Sequence, residues 1–293
     1  MKVALECLPC IVDDVLSATA LLEKNDRKQM QVAHEVSQFL SNTYGAGREP
    51  SYYITEAHRI LKRVTGIDVP FSEKRHASNV LGKKIAERLT LPDGEEEKFF
   101  FLIRAAVAAN HIDYRTTGTG YEATSDEIEA MFSREMEKRL AVDESKKIFE
   151  SVKAARSVLY ICDNVGEIAI DRLLIREIGK YADVVAAVRG GPITSDATLE
   201  DARFVGLDET CPLIITGPDT LGISFDGMSC ELEGAIKKAD LILTKGQANF
   251  YVMEEHRSEI GAPIACLFST KCDHVSSYFN LAGKVNIATL LKK

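Results

Sequence analysis

Hydrophobic positions change their period part-way along the chain. In the first half they recur every three to four residues: Ile11, Val15, Ala18 and Leu22, then Val32, Val36, Phe39 and Leu40, then Val80, Leu81, Ile85 and Leu89. That spacing predicts amphipathic helices, the last of them stopped by Leu91-Pro92-Asp93-Gly94. Another helix is predicted over 95–109; it is apolar nearly all round, which places it among other helices. Residues 125–155 read as charged and helical, with Ile128, Phe132, Met136 and Leu140 on one stripe.

In the second half, short apolar runs at 157–162, 183–188, 212–216, 240–244 and 263–268 read as buried strands. Helical segments separate them at 167–180, 199–205 and 230–238. The alternation predicts βαβ units, hence an α/β fold with a mainly parallel sheet. No internal repeat or low-complexity linker is visible. The division into a helical domain, 1–152, and an α/β domain, 153–293, therefore rests on the change of period alone.

Composition narrows the class. The 293 residues carry 36 Lys+Arg against 44 Asp+Glu, a net charge of −8, and 45% are hydrophobic. This excludes a disordered tail, a collagen-like repeat and a small disulfide scaffold, and the length favours two structural units. A net acidic chain has no positive excess with which to release counterions, so nucleic acid is not expected as the main partner; a local basic pocket is compatible with that balance. The amino terminus, Met1-Lys2-Val3-Ala4-Leu5-Glu6-Cys7, lacks the apolar core of a signal peptide, and no apolar run approaches the roughly 18 residues that span a bilayer. A cytoplasmic protein without membrane partners is expected. The seven cysteines are odd in number and scattered, unlike a secreted disulfide framework.

Ligands of open parallel sheets collect beyond the carboxyl ends of the strands. The first predicted strand ends in Asp163-Asn164-Val165-Gly166-Glu167. Asp163 and Asn164 offer hard oxygen ligands suited to Mg²⁺ or Mn²⁺, with helix amides beyond them; equally, either residue would cap the helix that follows. The second ends in Arg189-Gly190-Gly191-Pro192, followed by Asp196 and Asp201. The glycines suggest a turn or room for a ligand, while Ser195, Asp196 and Asp201 also suit a helix start. The fourth ends in Lys245-Gly246-Gln247-Ala248-Asn249, and the fifth leads to Lys271. Two lysines at adjacent strand ends make an anion pocket plausible, although Walker A spacing is absent. In the helical half, Asn110 and Asp113 close an apolar helix, as site residues or as its polar terminus. Cys7-Leu8-Pro9-Cys10 lacks the second ligand pair of a structural zinc site; a redox role requires a lowered thiol pKa, and two packed thiols explain it as well. No hydrolase elbow, HExxH or dinucleotide fingerprint occurs.

These segments occur in one order along nearly the whole chain: the amino-terminal CxxC, Ala-Asn-His-Ile-Asp at 109–113, Asp-Asn-Val-Gly-Glu at 163–167, Val-Arg-Gly-Gly-Pro-Ile at 188–193 with Asp196 and Asp201, and Lys-Gly-Gln-Ala-Asn at 245–249. The set resembles the metal-dependent damage-control phosphatases, the family also called domain of unknown function eighty-nine, and within it the short stand-alone subgroup with an amino-terminal CxxC. The resemblance implies a helical domain on a Rossmann-like α/β domain, and hydrolysis of small phosphometabolites. It implies that Asp163, Asn164 and Asp201 hold a divalent ion (Mn²⁺, Co²⁺, Ni²⁺ or Mg²⁺) and that Lys245 holds the phosphate. Asp163, Asp113 and Lys245 become the expected catalytic residues. Asn110, Arg189, Gly190, Gly191, Asn249 and Lys271 become the expected substrate contacts, with Asp113, Asp196 and Glu167 as candidate bases. Ala248 stands where the family often has Gly. An S-adenosylmethionine-dependent carboxyl methyltransferase and a non-catalytic phosphometabolite-binding protein are the alternative classes.

Overall fold

A computed structural model describes residues 1–45, 47–114 and 123–291. Five helices open the chain: α1 (Cys7–Leu22), α2 (Asp26–Thr43), α3 (Pro50–Thr65), α4 (Ser72–Arg88) and α5 (Glu95–Ala108). Their ends follow local chemistry. The Asn25 side chain accepts the Arg27 and Lys28 amides at the start of α2, and α3 opens on Pro50 and closes on left-handed Gly66. The periodicity reading passed over α3. Its buried positions include His58 and Thr55 beside Tyr53, Ala57 and Leu61, so the stripe is not uniformly apolar.

The rest of the chain runs α6 (Ser125–Glu137), β1 (Val142–Asp143), α7 (Ser145–Ala154), β2 (Ser157–Ile161), α8 (Glu167–Ile178), β3 (Asp183–Val188), α9 (Leu199–Phe204), β4 (Leu213–Ile215), α10 (Cys230–Lys238), β5 (Leu241–Lys245), α11 (Gln247–Glu255), β6 (Ile264–Ser269), α12 (Asp273–Ser276) and β7 (Asn286–Leu291). The stretch read as one helical region over 125–155 is two helices separated by β1, a strand too short to leave a period in the sequence.

The described strands form one sheet in the order β1-β7-β6-β5-β2-β3-β4. The pairings from β6 through β4 are parallel, β7 lies antiparallel to β6, and β1 pairs parallel with β7. The expectation of a mainly parallel α/β sheet flanked by helices is met. Both faces are covered, as such sheets require. Val158 and Tyr160 of β2 join the core shared with α1–α5 and α8, while Leu159 and Ile161 face a second core with α10 and α11. We retain a division near residue 152 as a proposal about architecture; packing is continuous across it, because one apolar core holds both Ile11 of α1 and Ala186 of β3. Strand β2 has β3 on one side and β5 on the other. The chain therefore reverses its direction of travel through the sheet there, and the carboxyl ends of β2 and β5 flank the crevice where doubly wound sheets bind ligands. No helix among the described residues is long and apolar enough to cross a membrane.

Candidate functional site

The segment leaving β2 is held by three neighbours. Helix α4 presses on it so closely that a Cβ on Gly82 would meet the Gly166 oxygen at 2.0 Å, and Gly166 itself has φ +78°. Both positions therefore exclude side chains. Asn79 of α4 accepts the Gly166 amide at 2.8 Å. The loop after β3 stitches in from the other side: Val165 donates to the Ser195 carbonyl, Ala197 donates to the Asp163 carbonyl, and Ser195 Oγ donates to Asn164 Oδ1, each at 2.8 Å. The third neighbour is Gly246, after β5. A Cβ there would meet Asp163 Oδ2 at 1.8 Å, so the carboxylate occupies the space a side chain would take.

Asp163 and Asn164 open onto a cleft of about 460 Å³. Asp113 and Lys271 share that end, with Lys271 Nζ 3.3 Å from Asp113 Oδ2. Ile11, Ile54, Leu221 and Tyr251 supply an apolar wall, and Cys7, Cys10 and Cys272 line the cleft as well. Four expected residues thus meet on one surface: Asp163, Asn164, Asp113 and Lys271. A second cleft of about 360 Å³ contains none of the expected residues.

Lys245, expected on the phosphate, lies behind this surface. It is fully buried, with Nζ 2.8 Å from Asp171 Oδ1 and 3.1 Å from Glu167 Oε1. Burial alone would depress its pKa; the two carboxylates outweigh burial and raise it. Burial pushes Asp171 up to about 6, against the opposing pull of Lys245. Glu167 also accepts from Asn110 Nδ2 at 2.7 Å, and Asn110 Oδ1 takes the Ser269 amide at 3.0 Å. The chain Lys245–Glu167–Asn110 thus backs Asn164, whose Nδ2 lies 2.8 Å from Asp163 Oδ2 and 3.5 Å from Glu167 Oε2.

Arg189 is buried between acids and amides. Its Nε donates to Asp196 Oδ1 at 2.9 Å and Nη2 to Asn249 Oδ1 at 3.1 Å, while Nη2 stands 3.9 Å from Asp163 Oδ1. Its Nη1 is buried and has no hydrogen-bond partner among the described residues. The Asn249 amide is used by the fold: Nδ2 donates to the Lys245 and Cys162 carbonyls, and Oδ1 also accepts the Ile223 amide. Gly190 and Gly191 face the 217–219 loop, where Cβ atoms would meet the Gly217 oxygen at 1.9 Å and Asp219 Cβ at 3.2 Å. Their glycines serve a close chain approach. Asp201 lies in the first turn of α9, closing a capping box with Thr198 and bound to Arg75 and Asn79 of α4.

The oxygen donors fit a hard divalent cation. Burial, then the nearby Glu167 and Asp196 carboxylates, push Asp163 well above the usual carboxylate range, with Arg189 and Lys271 opposing. A cation would relieve that repulsion. Among the described residues no three His, Cys, Asp or Glu side chains stand together as a metal centre. The donor set is therefore the Asp163 carboxylate, joined by Asn164 Oδ1 only on a turn of the amide, because Oδ1 accepts the Ser195 hydroxyl and Nδ2 faces Asp163. It suits an ion such as Mg²⁺, which keeps waters and takes substrate phosphate oxygens. Asp196 is occupied by Arg189, the Gly222 amide and the Thr194 hydroxyl. Sequence reasoning missed Asp171, Arg75 and Asn79. Only Asp171 left a signal, standing four residues after Glu167 on one helical face. Arg75 and Asn79 meet Asp201 across more than 120 positions and left none.

Comparison with known proteins agrees with this architecture. A family model described as "Damage-control phosphatase ARMT1-like domain" matches residues 3–284. An uncharacterised protein of Methanocaldococcus jannaschii is 32% identical, with 100% of this chain and 96% of that protein aligned. A protein of Pyrococcus horikoshii named a damage-control phosphatase is 31% identical over 94% of this chain and 93% of its own length. The crystal structure of a DUF89 family protein from Pyrococcus horikoshii superimposes with a TM-score of 0.86 at 28% identity, covering 100% of both chains.

Proposed function

The chain belongs to the damage-control phosphatase ARMT1-like domain family, and from that premise we propose that it is a divalent-metal-dependent phosphatase for small phosphorylated metabolites, working in the cleft at the ends of β2 and β5. The observation that carries this reading is Asp163: a buried carboxylate crowded by Glu167 and Asp196, with its pKa driven up, opening onto a cleft beside a lysine. Asp163 would hold the cation, with Asn164 joining it by turning its amide oxygen away from the Ser195 hydroxyl. Bound there, it would offset phosphate charge and polarise a phosphoryl oxygen. Asp201, expected as a third ligand, would reach it only by giving up Arg75 and Asn79.

The protein's own groups divide the remaining work. Lys271, partly exposed on the cleft, meets the phosphate as a point charge, and Asp113 fixes its ammonium. Lys245 acts through Glu167, whose carboxylate it anchors behind Asn164. Arg189 sets Asp196 and Asn249 and holds a guanidinium beside Asp163. The apolar wall takes the organic body of the substrate and excludes water from the reacting end. The test is hydrolysis of p-nitrophenyl phosphate with added Mn²⁺, Co²⁺, Ni²⁺ or Mg²⁺. Turnover is expected with metal, is lost with chelator, and is abolished in Asp163→Ala. Undiminished turnover in that variant would falsify the assignment. A panel of sugar, nucleotide and cofactor phosphates then identifies the substrate.

A further inference from the structure

The phosphatase reading leaves the amino-terminal CxxC without a task. The structure brings three cysteines from the two ends of the chain to one wall: Cys7, Cys10 and Cys272 all line the cleft that Asp163 opens onto. Cys7 is half-buried, whereas Cys10 and Cys272 are exposed. Cys162, Cys211 and Cys266 are buried, and burial pushes their thiols up, which keeps them inert. We propose that the Cys7–Cys10 pair is a reversible oxidation site on the wall of the phosphoester cleft, taking low-molecular-weight disulfides as its oxidant.

The geometry of α1 supports a bridge. Cys7 and Cys10 stand three residues apart in its first turn, which sets their Cα atoms about 5 Å apart, within the range a disulfide spans. Helical Cβ atoms at that spacing are roughly 1 Å too far apart for a bridge, so the turn must tighten. The chain already runs tight at this point, because the Cys7 and Leu8 amides donate three residues back, to the Ala4 and Leu5 carbonyls. Pro9, between the cysteines, lies in this first turn, where proline's fixed φ is compatible with the helix.

The chemistry balances as two exchanges. Exposed Cys10, as thiolate, attacks one sulfur of the small disulfide and expels the first small thiolate, leaving a mixed disulfide on Cys10. Cys7 gives up its proton and attacks the Cys10 sulfur, expelling the second. The protein dithiol loses two electrons and two protons, and the small disulfide gains them as two thiols. Cys7 suits the resolving role, because burial and then the neighbouring Cys272 raise its thiol.

The wall is wired to the reacting end. Cys272 Sγ lies 3.9 Å from Gln247 Nε2. Gln247 donates to Tyr251 Oη at 2.7 Å and accepts the Lys271 amide at 2.7 Å. It follows Gly246, the residue against which Asp163 rests. That the bond alters turnover rests on the phosphatase reading; that it forms does not.

The test incubates the full-length reduced protein with oxidised glutathione, then alkylates the remaining thiols and maps the peptides by mass. The expected product lacks two alkylatable thiols, carries a Cys7–Cys10 link and reverts with dithiothreitol. Cys7→Ser is expected to stop as a glutathione adduct on Cys10, and Cys272→Ser is expected to form the same link as the parent. Oxidation is expected to raise KM for p-nitrophenyl phosphate several-fold in the parent protein and not in Cys10→Ser. Cys7 and Cys10 that both stay alkylatable, or a link running to Cys272 instead, overturn the proposal. A formed link with an unchanged KM overturns its bearing on the cleft. A protein that shows the link but no turnover with any metal convicts the phosphatase reading and leaves the oxidation site standing.

Discussion

Two adjacent residues, Lys245 and Gly246, show how little of a site is fixed by residue type. A lysine at a strand end, followed by glycine, reads as a phosphate contact. The position was legible and the direction of the side chain was not, because a strand alternates its faces and the acids that capture Lys245 sit on α8. Lys245→Met is expected to act first on stability. It strands Glu167 and Asp171 as buried charges, a loss of about 3–5 kcal/mol, to be read in urea unfolding with and without metal. Unfolding at the parent's urea midpoint would show that Lys245 is not the counter-ion of this pair. Gly246→Ala puts a methyl into the space of Asp163 Oδ2 at a backbone φ of +81°. A displacement of about 1 Å at a reacting group is worth about 10²-fold in rate, so metal-dependent turnover is expected to fall by at least that much. Parent-like kcat in this variant would remove Asp163 from the reacting end.

At the scale of elements, the apolar runs that alternate with helices were legible, whereas β7 (Asn286–Leu291), which follows β6 with no long helix between and lies antiparallel to it, was passed over. The five runs read as strands are β2 to β6, within a residue or two of their ends. β1 is too short to carry a period. The α3 stripe includes a histidine and threonines, and α11 starts inside a segment already read as a loop of chemistry. The same limit governs Asp201. An acid three residues after Thr198 has the sequence of a cap, and it is one. What the sequence withheld is Arg75, which turns that cap into a tie between α4 and α9. Asp201→Ala is therefore expected to leave the Arg75 guanidinium buried and unpaired, a cost of about 3–5 kcal/mol. Calorimetric titration with Mn²⁺ separates the two roles. A folded Asp201→Asn that binds the ion as the parent does marks a structural tie, whereas a loss of 10-fold or more in affinity would restore Asp201 as a ligand.

Across the whole molecule, a net charge of −8 says little about where the acids meet. The fold gathers Asp163, Glu167 and Asp196 at the switch point of the sheet, where burial makes their mutual repulsion costly. Such a site is set for binding at the expense of the empty protein, and the two effects have opposite signs in one experiment. In chelator, Asp163→Asn removes a buried charge and keeps the shape, so its melting temperature is expected to equal or exceed the parent's. With Mn²⁺ at about 100 times its Kd, a ligand bound only by the folded state adds about 2.7 kcal/mol. For a chain of this size that is a rise of roughly 4 °C, expected in the parent and absent in Asp163→Asn. A variant that melts well below the chelated parent would mean that Asp163 holds the fold together. An equal metal-induced rise in both proteins would place the cation elsewhere.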